Sequence, residues 1–197
     1  MSATERRITP ADILDLKAYE AVRAEKRRAV VALKKNRRVE VGPYATFYFE
    51  NYETMWMQVQ EMLRIEKGGA DQLEGELAAY NPLIPQGAEL VATMMLEIDD
   101  PLRRANVLAR LGGIEETIFL EIDGARIAAE WERDVERTNE EGKASSVHFL
   151  HFRFSPEHVA AFKRPEARAI LGTTHENYAH MAVLAPAVRA ELAKDFA

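Results

Sequence analysis

Five histidines and one helical run of Thr, Gln and Glu hold most of the side chains in this chain that could do chemistry. His148 and His151 stand three apart in VHFLHFRF, a spacing that invites a metal reading. The run reads as a strand, however, and an odd separation on a strand sends side chains to opposite faces. The two imidazoles then share no ion unless a bulge intervenes. His158 follows Ser155-Pro156 at a helix start and is expected on the surface. His175 and His180 bracket Glu176-Asn177-Tyr178, where a tight turn between strands is expected. Imidazole, carboxylate, amide and phenol gathered at a sheet end suit ligand or metal binding. The plainer reading of the same residues is a turn capped by its own side chains.

The second constellation lies in FYFENYETMWMQVQEMLRIEK, residues 47–67, which passes from a strand into an amphipathic helix. At about 100° per residue, Tyr52, Met55, Trp56, Val59, Met62 and Leu63 share one sector, the expected core face. Glu53, Gln60, Arg64 and Lys67 form a solvated stripe, and Glu66 falls oddly inside the apolar sector. Thr54, Gln58 and Glu61 line the other flank, which can border a pocket. Gln58 and Glu61 are about one helical turn apart and can meet a common partner. As a general acid/base or a carboxylate ligand, Glu61 needs a second group, for which His175 and His180 are the candidates. The alternative is a side-chain network that pins the helix to the turn at Asn81. The expected ligand-binding set is therefore Thr54, Gln58, Glu61 and Asn81, with His175, Asn177, Tyr178 and His180 from the late turn. No catalytic residue, metal site or cofactor is assigned.

These residues need elements to position them. Ile8-Thr9-Pro10-Ala11-Asp12-Ile13 has the order of a helix start, with Thr9 as cap, Pro10 first, and Ile8 and Ile13 as a hydrophobic staple. Helical character then runs over about 9–37, with a break near 15–17. Tyr19, Val22, Val30 and Leu33 make its buried stripe, and Lys26 and Arg37 project into that apolar sector on stems long enough to reach water. A hairpin turning at Gly42-Pro43 delivers the chain into the helix of residues 52–67, which Gly68-Gly69 ends. A further helix over 70–80 and the rigid Asn81–Gly87 connector follow. Residues 89–98 alternate with both faces partly apolar, as in a central strand. Asp123-Gly124 marks a hairpin between strands over 117–122 and 125–131. The polar stretch 133–146 reads as a loop or hairpin tip. A strand over 147–154, a helix from Ser155, strands over 167–171 and 178–184 around a turn at 172–177, and a closing helix after Pro186 complete the chain. Strands arriving in hairpins give an α+β fold, a single domain over 1–197 with a largely antiparallel sheet packed with helices.

Composition sets outer bounds. A chain of 197 residues, 47% hydrophobic and 29% charged, can bury one substantial core. Without cysteine there is no disulfide, thiolate metal site or cysteine nucleophile. No apolar run approaches the roughly 20 residues that cross a bilayer, and the N-terminus has no signal core, so a cytoplasmic location without membrane contact is expected. P-loop, GxGxxG, HExxH and GxSxG patterns are absent. The net charge of −6 divides into +6 over residues 1–38 and −12 over the rest. The basic helix is read first as a solvated face of the fold, or else as a dock for an acidic protein partner. Nucleic acid is disfavoured because no aromatic platform is interleaved with the basic residues. A homo-oligomer is compatible with the sequence.

FENYETMWMQVQEMLRIE, AYNPLIPQGAEL followed by ATMMLEI, and the HENY turn together resemble an uncharacterised bacterial family, the domain of unknown function numbered 3501. The resemblance extends from ITPADIL to the closing helix. The family pattern has Pro where Glu176 stands. The resemblance implies no activity. It does imply a context, because genes of that family often lie near those of rubrerythrin-like and iron–sulfur redox proteins. The expectation is a ligand-binding or accessory protein linked to redox or peroxide metabolism. A small enzyme using a Glu/His pair and a protein-interaction module are the alternatives.

Overall fold

The computed structural model describes residues 4–131 and 143–197. After a 3-10 turn at Pro10–Asp12 come α1 (Leu16–Lys34), β1 (Arg38–Val41), β2 (Ala45–Glu50), α2 (Tyr52–Glu66) and α3 (Gly69–Tyr80). β3 (Glu89–Leu96), α4 (Pro101–Leu108), β4 (Ile118–Ile122), β5 (Ala125–Ala128) and β6 (Glu130–Trp131) follow. β7 (Val147–Arg153), α5 (Pro156–Lys163), β8 (Ala169–His175), β9 (Tyr178–Val183) and α6 (Pro186–Leu192) complete the described elements. The fold is α+β, with the order β1-β2-β3-β7-β6 in one sheet and β5-β4-β8-β9 in the other. Every pairing is antiparallel.

Local chemistry sets the helix starts. Asp15 Oδ1 accepts from Ala18 N at 2.9 Å and opens α1. Asn51 and Thr54 cap α2 reciprocally, each side chain accepting from the other's backbone N–H at 3.0 Å. Asp100 and Ser155 cap α4 and α5, each followed by Pro at the first helical position. α2 ends one step before the glycines, with Lys67 in the left-handed region at φ 55°.

Strand alternation then sorts the layers. Phe47, Phe49, Leu90, Ala92, Leu150 and Phe152 turn to one face of the five-stranded sheet and pack on the second sheet through Leu120 and Leu171. Val91 and Phe149 turn the other way and pack with Met55, Val59, Leu83 and Ile84 beneath α2. The five-stranded sheet is thus the middle layer, with α2 on one side and the smaller sheet on the other. β3 is its central strand, as its two apolar faces predict.

Two strand boundaries differ from expectation. β8 runs on to His175, so the turn shrinks to Glu176-Asn177 and His175 becomes a strand residue. The strand expected over 125–131 divides at Ala129. There β5 leaves β4 and the two residues of β6 join β7 in the other sheet. Of the polar stretch 133–146, residues 133–142 lie outside the described residues.

Candidate functional site

Glu61 is fully occupied by α1. Its Oε1 accepts from Tyr19 Oη at 2.6 Å and Arg23 Nε at 2.7 Å, and its Oε2 accepts from Arg23 Nη2 at 2.9 Å. The Arg23 guanidinium, with Tyr19 assisting, lowers the Glu61 carboxyl from 4.5 to about 2. Burial, then the bond to this carboxylate, raises the Tyr19 phenol. A carboxylate so held stays ionised and is a poor proton donor. Glu61 here is a clamp between two helices.

The neighbouring candidates also have protein partners. Thr54 Oγ1 donates to buried Glu50 at 2.7 Å, and Gln58 Nε2 reaches Tyr80 Oη at 3.5 Å. Asn81 pairs with the backbone of Ile8 through both amide atoms, accepting at 2.7 Å and donating at 3.0 Å. That pairing fixes the N-terminal segment against the connector, whereas the network anticipated for Asn81 would have pinned α2 to the turn; α2 reaches this corner through Gln58 and Tyr80 instead. Gln60, expected on a solvated stripe, is only 2% exposed. Glu66 is exposed and accepts from Gln72, so its place in the apolar sector carries no cost.

The late hairpin is a joint between the sheets. Tyr178 Oη donates to Val41 O at 2.8 Å and accepts from Tyr44 N and Ala45 N at 2.8 and 2.9 Å. Burial raises its phenol. Asn177 Nδ2 donates to Arg110 O at 3.1 Å. His175 Nδ1 accepts from Asn177 N at 3.2 Å, which leaves the ring proton on Nε2, 3.1 Å from Gly112 O. His180 is exposed, with its ring centroid 4.5 Å from that of Tyr178. Both lie against Gly42, where an added Cβ would come within 2.6 Å of His180 and where φ is +68°. That turn therefore requires glycine.

The structure does not bring the two constellations into one hollow. α2 covers the Val91 face of the five-stranded sheet, whereas His175 shares the inward face of β8 with Leu171, in the core on the opposite side. Thr54, Gln58, Glu61 and Asn81 are separated from His175, Asn177, Tyr178 and His180 by the middle layer. A Glu61–histidine pair is accordingly not formed. His148 and His151 do turn to opposite faces. His148 is fully buried, 3.6 Å from Glu115, and His151 Nδ1 lies 3.1 Å from Glu89. Among the described residues no three His, Asp or Glu side chains are grouped as metal ligands.

A different hollow opens beneath the second half of α1. It measures about 880 Å³ and lies between α1, the start of α2, the Ile84-Pro85 connector and the 3-10 turn at Ala193–Asp195. Val30 and Leu33, expected to be buried, are only half-buried because they face this space, and so is Trp56 opposite. Of the whole of α1, only Tyr19 is buried. Trp56 Nε1 is tied to Asp12 O at 2.9 Å, and Lys26 Nζ stands 5.6 Å from the Trp56 ring centroid.

The back of the hollow is ionic. Arg37, expected to reach water, is 1% exposed. It donates to Phe49 O at 2.9 Å, to Glu50 O at 3.0 Å and to Asp195 Oδ2 at 2.5 Å, and its Nη1 lies 3.5 Å from Glu191. Burial pushes the Asp195 carboxyl up, against the pull of Arg37. Lys194 pairs with Glu191 on the rim. Arg6 donates to the carbonyls of Pro85 and Asp195 and so straps the N-terminal segment across one end. The sequence signal for this hollow was Lys26, a cation set in the apolar stripe of α1.

A family model described as "Protein of unknown function (DUF3501)" matches residues 7–196. The chain belongs to the DUF3501 family. It is similar to a crystal structure of a novel protein of unknown function from Burkholderia pseudomallei K96243, at 38% identity and a TM-score of 0.88. That match covers 96% of this chain and 99% of the other. No curated protein matches the chain. No helix among the described residues is long and apolar enough to cross a membrane. The DUF3501 match includes both the hairpin at 175–180 and nearly the whole wall of the hollow.

Proposed function

We propose that this DUF3501 protein is a ligand-binding or accessory protein whose site is the hollow roofed by α1. One observation carries the reading. Val30 and Leu33 on α1 and Trp56 on α2 all line one hollow of about 880 Å³ and are left half-buried there. Apolar side chains left in this way lose contact and burial energy that an apolar ligand restores. Thr54 and Asn81 serve the site indirectly, fixing the start of α2 and the Ile8 strap. The redox context implied by the resemblance would make such a ligand a metabolite of that chemistry.

Filling the hollow tests the proposal. Val30→Trp should leave the fold intact and remove saturable fluorescence enhancement of the uncharged dye N-phenyl-1-naphthylamine, which the unaltered chain should show. Absence of saturable binding by the unaltered chain, or equal binding by Val30→Trp, would sink it.

The second reading is a protein-interaction module. It draws on the outer face of α1, where Arg27 and Arg28 are exposed and no acidic side chain among the described residues pairs with them. Reversing both to Glu should release an acidic partner in a pull-down, and unchanged capture would remove this reading.

A further inference from the structure

We propose that the ligand of this hollow is a small organic monoanion, with an apolar body against Trp56, Val30 and Leu33 and its acidic head at Lys26. The inference rests on the ligand-binding reading above and adds the charge and shape of what binds. Glu191 and Asp195 line the hollow but are already neutralised, Glu191 by Lys194 and Arg37 and Asp195 by Arg37. Arg6 gives its hydrogen bonds to two carbonyl oxygens, and its charge adds to that of Arg37 in favouring the ionised Asp195. Lys26 Nζ stands over the face of Trp56, and no carboxylate among the described residues pairs with it.

Glu53 is the remaining acid on the wall, an exposed side chain in the first turn of α2. With Arg37 behind the wall, four cations stand against three carboxylates. The positive end of the 15-residue helix α2 opens on the same side. The balance favours one negative charge. It is too small for a polyphosphate, and the committed carboxylates leave no ligand set for a divalent cation. The Lys26 stem and Trp56 ring together give a surface that a flat or branched apolar group can cover while its acid group meets the ammonium.

The test uses the full chain and two dyes that share an aromatic body, anionic 8-anilinonaphthalene-1-sulfonate and uncharged N-phenyl-1-naphthylamine. Both should bind saturably and compete. Lys26→Met should weaken the sulfonate roughly threefold to fivefold, as for a partly exposed charge pair, and move the neutral dye less than twofold. Lys26→Glu should weaken the sulfonate further. Octanoate and 1-naphthoate should displace it while octanol and 1-naphthalenemethanol do so poorly, and whichever acid is stronger assigns the body as acyl or aromatic. If both dyes bind but neither responds to Lys26, or the alcohols displace as well as the acids, the anion assignment falls and the site stands. If neither dye saturates, or both ignore Val30→Trp, the site itself falls and the anion with it.

Discussion

The hairpin at 175–180 and the hollow beneath α1 are both polar meeting points of ordered elements, and they differ in what is left over. In the hairpin, His175, Asn177 and Tyr178 direct their polar atoms to protein backbone, the first two to the 110–112 segment after α4 and Tyr178 to the other sheet. In the hollow, apolar side chains are left half-buried and no carboxylate among the described residues pairs with Lys26. A gathering of reactive residue types does not make a site when each already has a partner. Unmet packing and charge are the better guide.

The comparison can be broken most forcefully at Arg37, the ionic back of the hollow. Arg37→Met strands Asp195 in a buried position and should cost roughly 3–5 kcal/mol of stability, read as the denaturant midpoint, with part regained by adding Asp195→Leu. A loss below about 1 kcal/mol would mean the pair is not desolvated. At the hairpin, Tyr178→Phe leaves Tyr44 N, Ala45 N and Val41 O without their shared partner. It should cost about 2–3 kcal/mol while leaving dye affinity unchanged. Altered dye binding would show that the hairpin and the hollow are coupled.

The clamp at the other end of α1 gives a smaller effect with a pH signature. The folded-state pKa of Glu61 is lowered, so its contribution is present above 4.5 and is lost as pH falls toward about 2. Glu61→Gln should lower the thermal midpoint by about 2 °C at neutral pH and flatten the decline between pH 4.5 and 2. An unchanged acid profile would remove the clamp. Smallest of all, Lys26→Met should shift stability by no more than about 0.5 kcal/mol, because it removes an exposed charge whose contact with the fold is the face of Trp56, a cation–π pair of small worth at an exposed site. A large loss there would make Lys26 a structural residue and weaken the case for the hollow.

Much of the fold was legible in the residues. The Asp123-Gly124 hairpin, the helix start at Ser155-Pro156, the central strand beginning at Glu89 and the opposed faces of His148 and His151 all follow from local periodicity and turn chemistry. The extent of β8 was not legible, because Gly172 reads as a strand breaker and pairing with both β4 and β9 overrides it. Nor was the fate of Glu61. A helix projection gives its flank and not its neighbour, and Arg23 on the next helix claimed it.

By itself the sequence determined which residues share a helix or strand face and which strands pair locally, since each depends on neighbours within a few positions. Tertiary structure alone decided that the five-stranded sheet divides the two polar constellations, that Arg37 is sealed behind Asp195, and that Val30 and Leu33 look into space. Those outcomes depend on how layers stack and on which side chains meet across long sequence separations. Periodicity assigns a residue to a face, and only packing shows whether that face meets protein or a hollow.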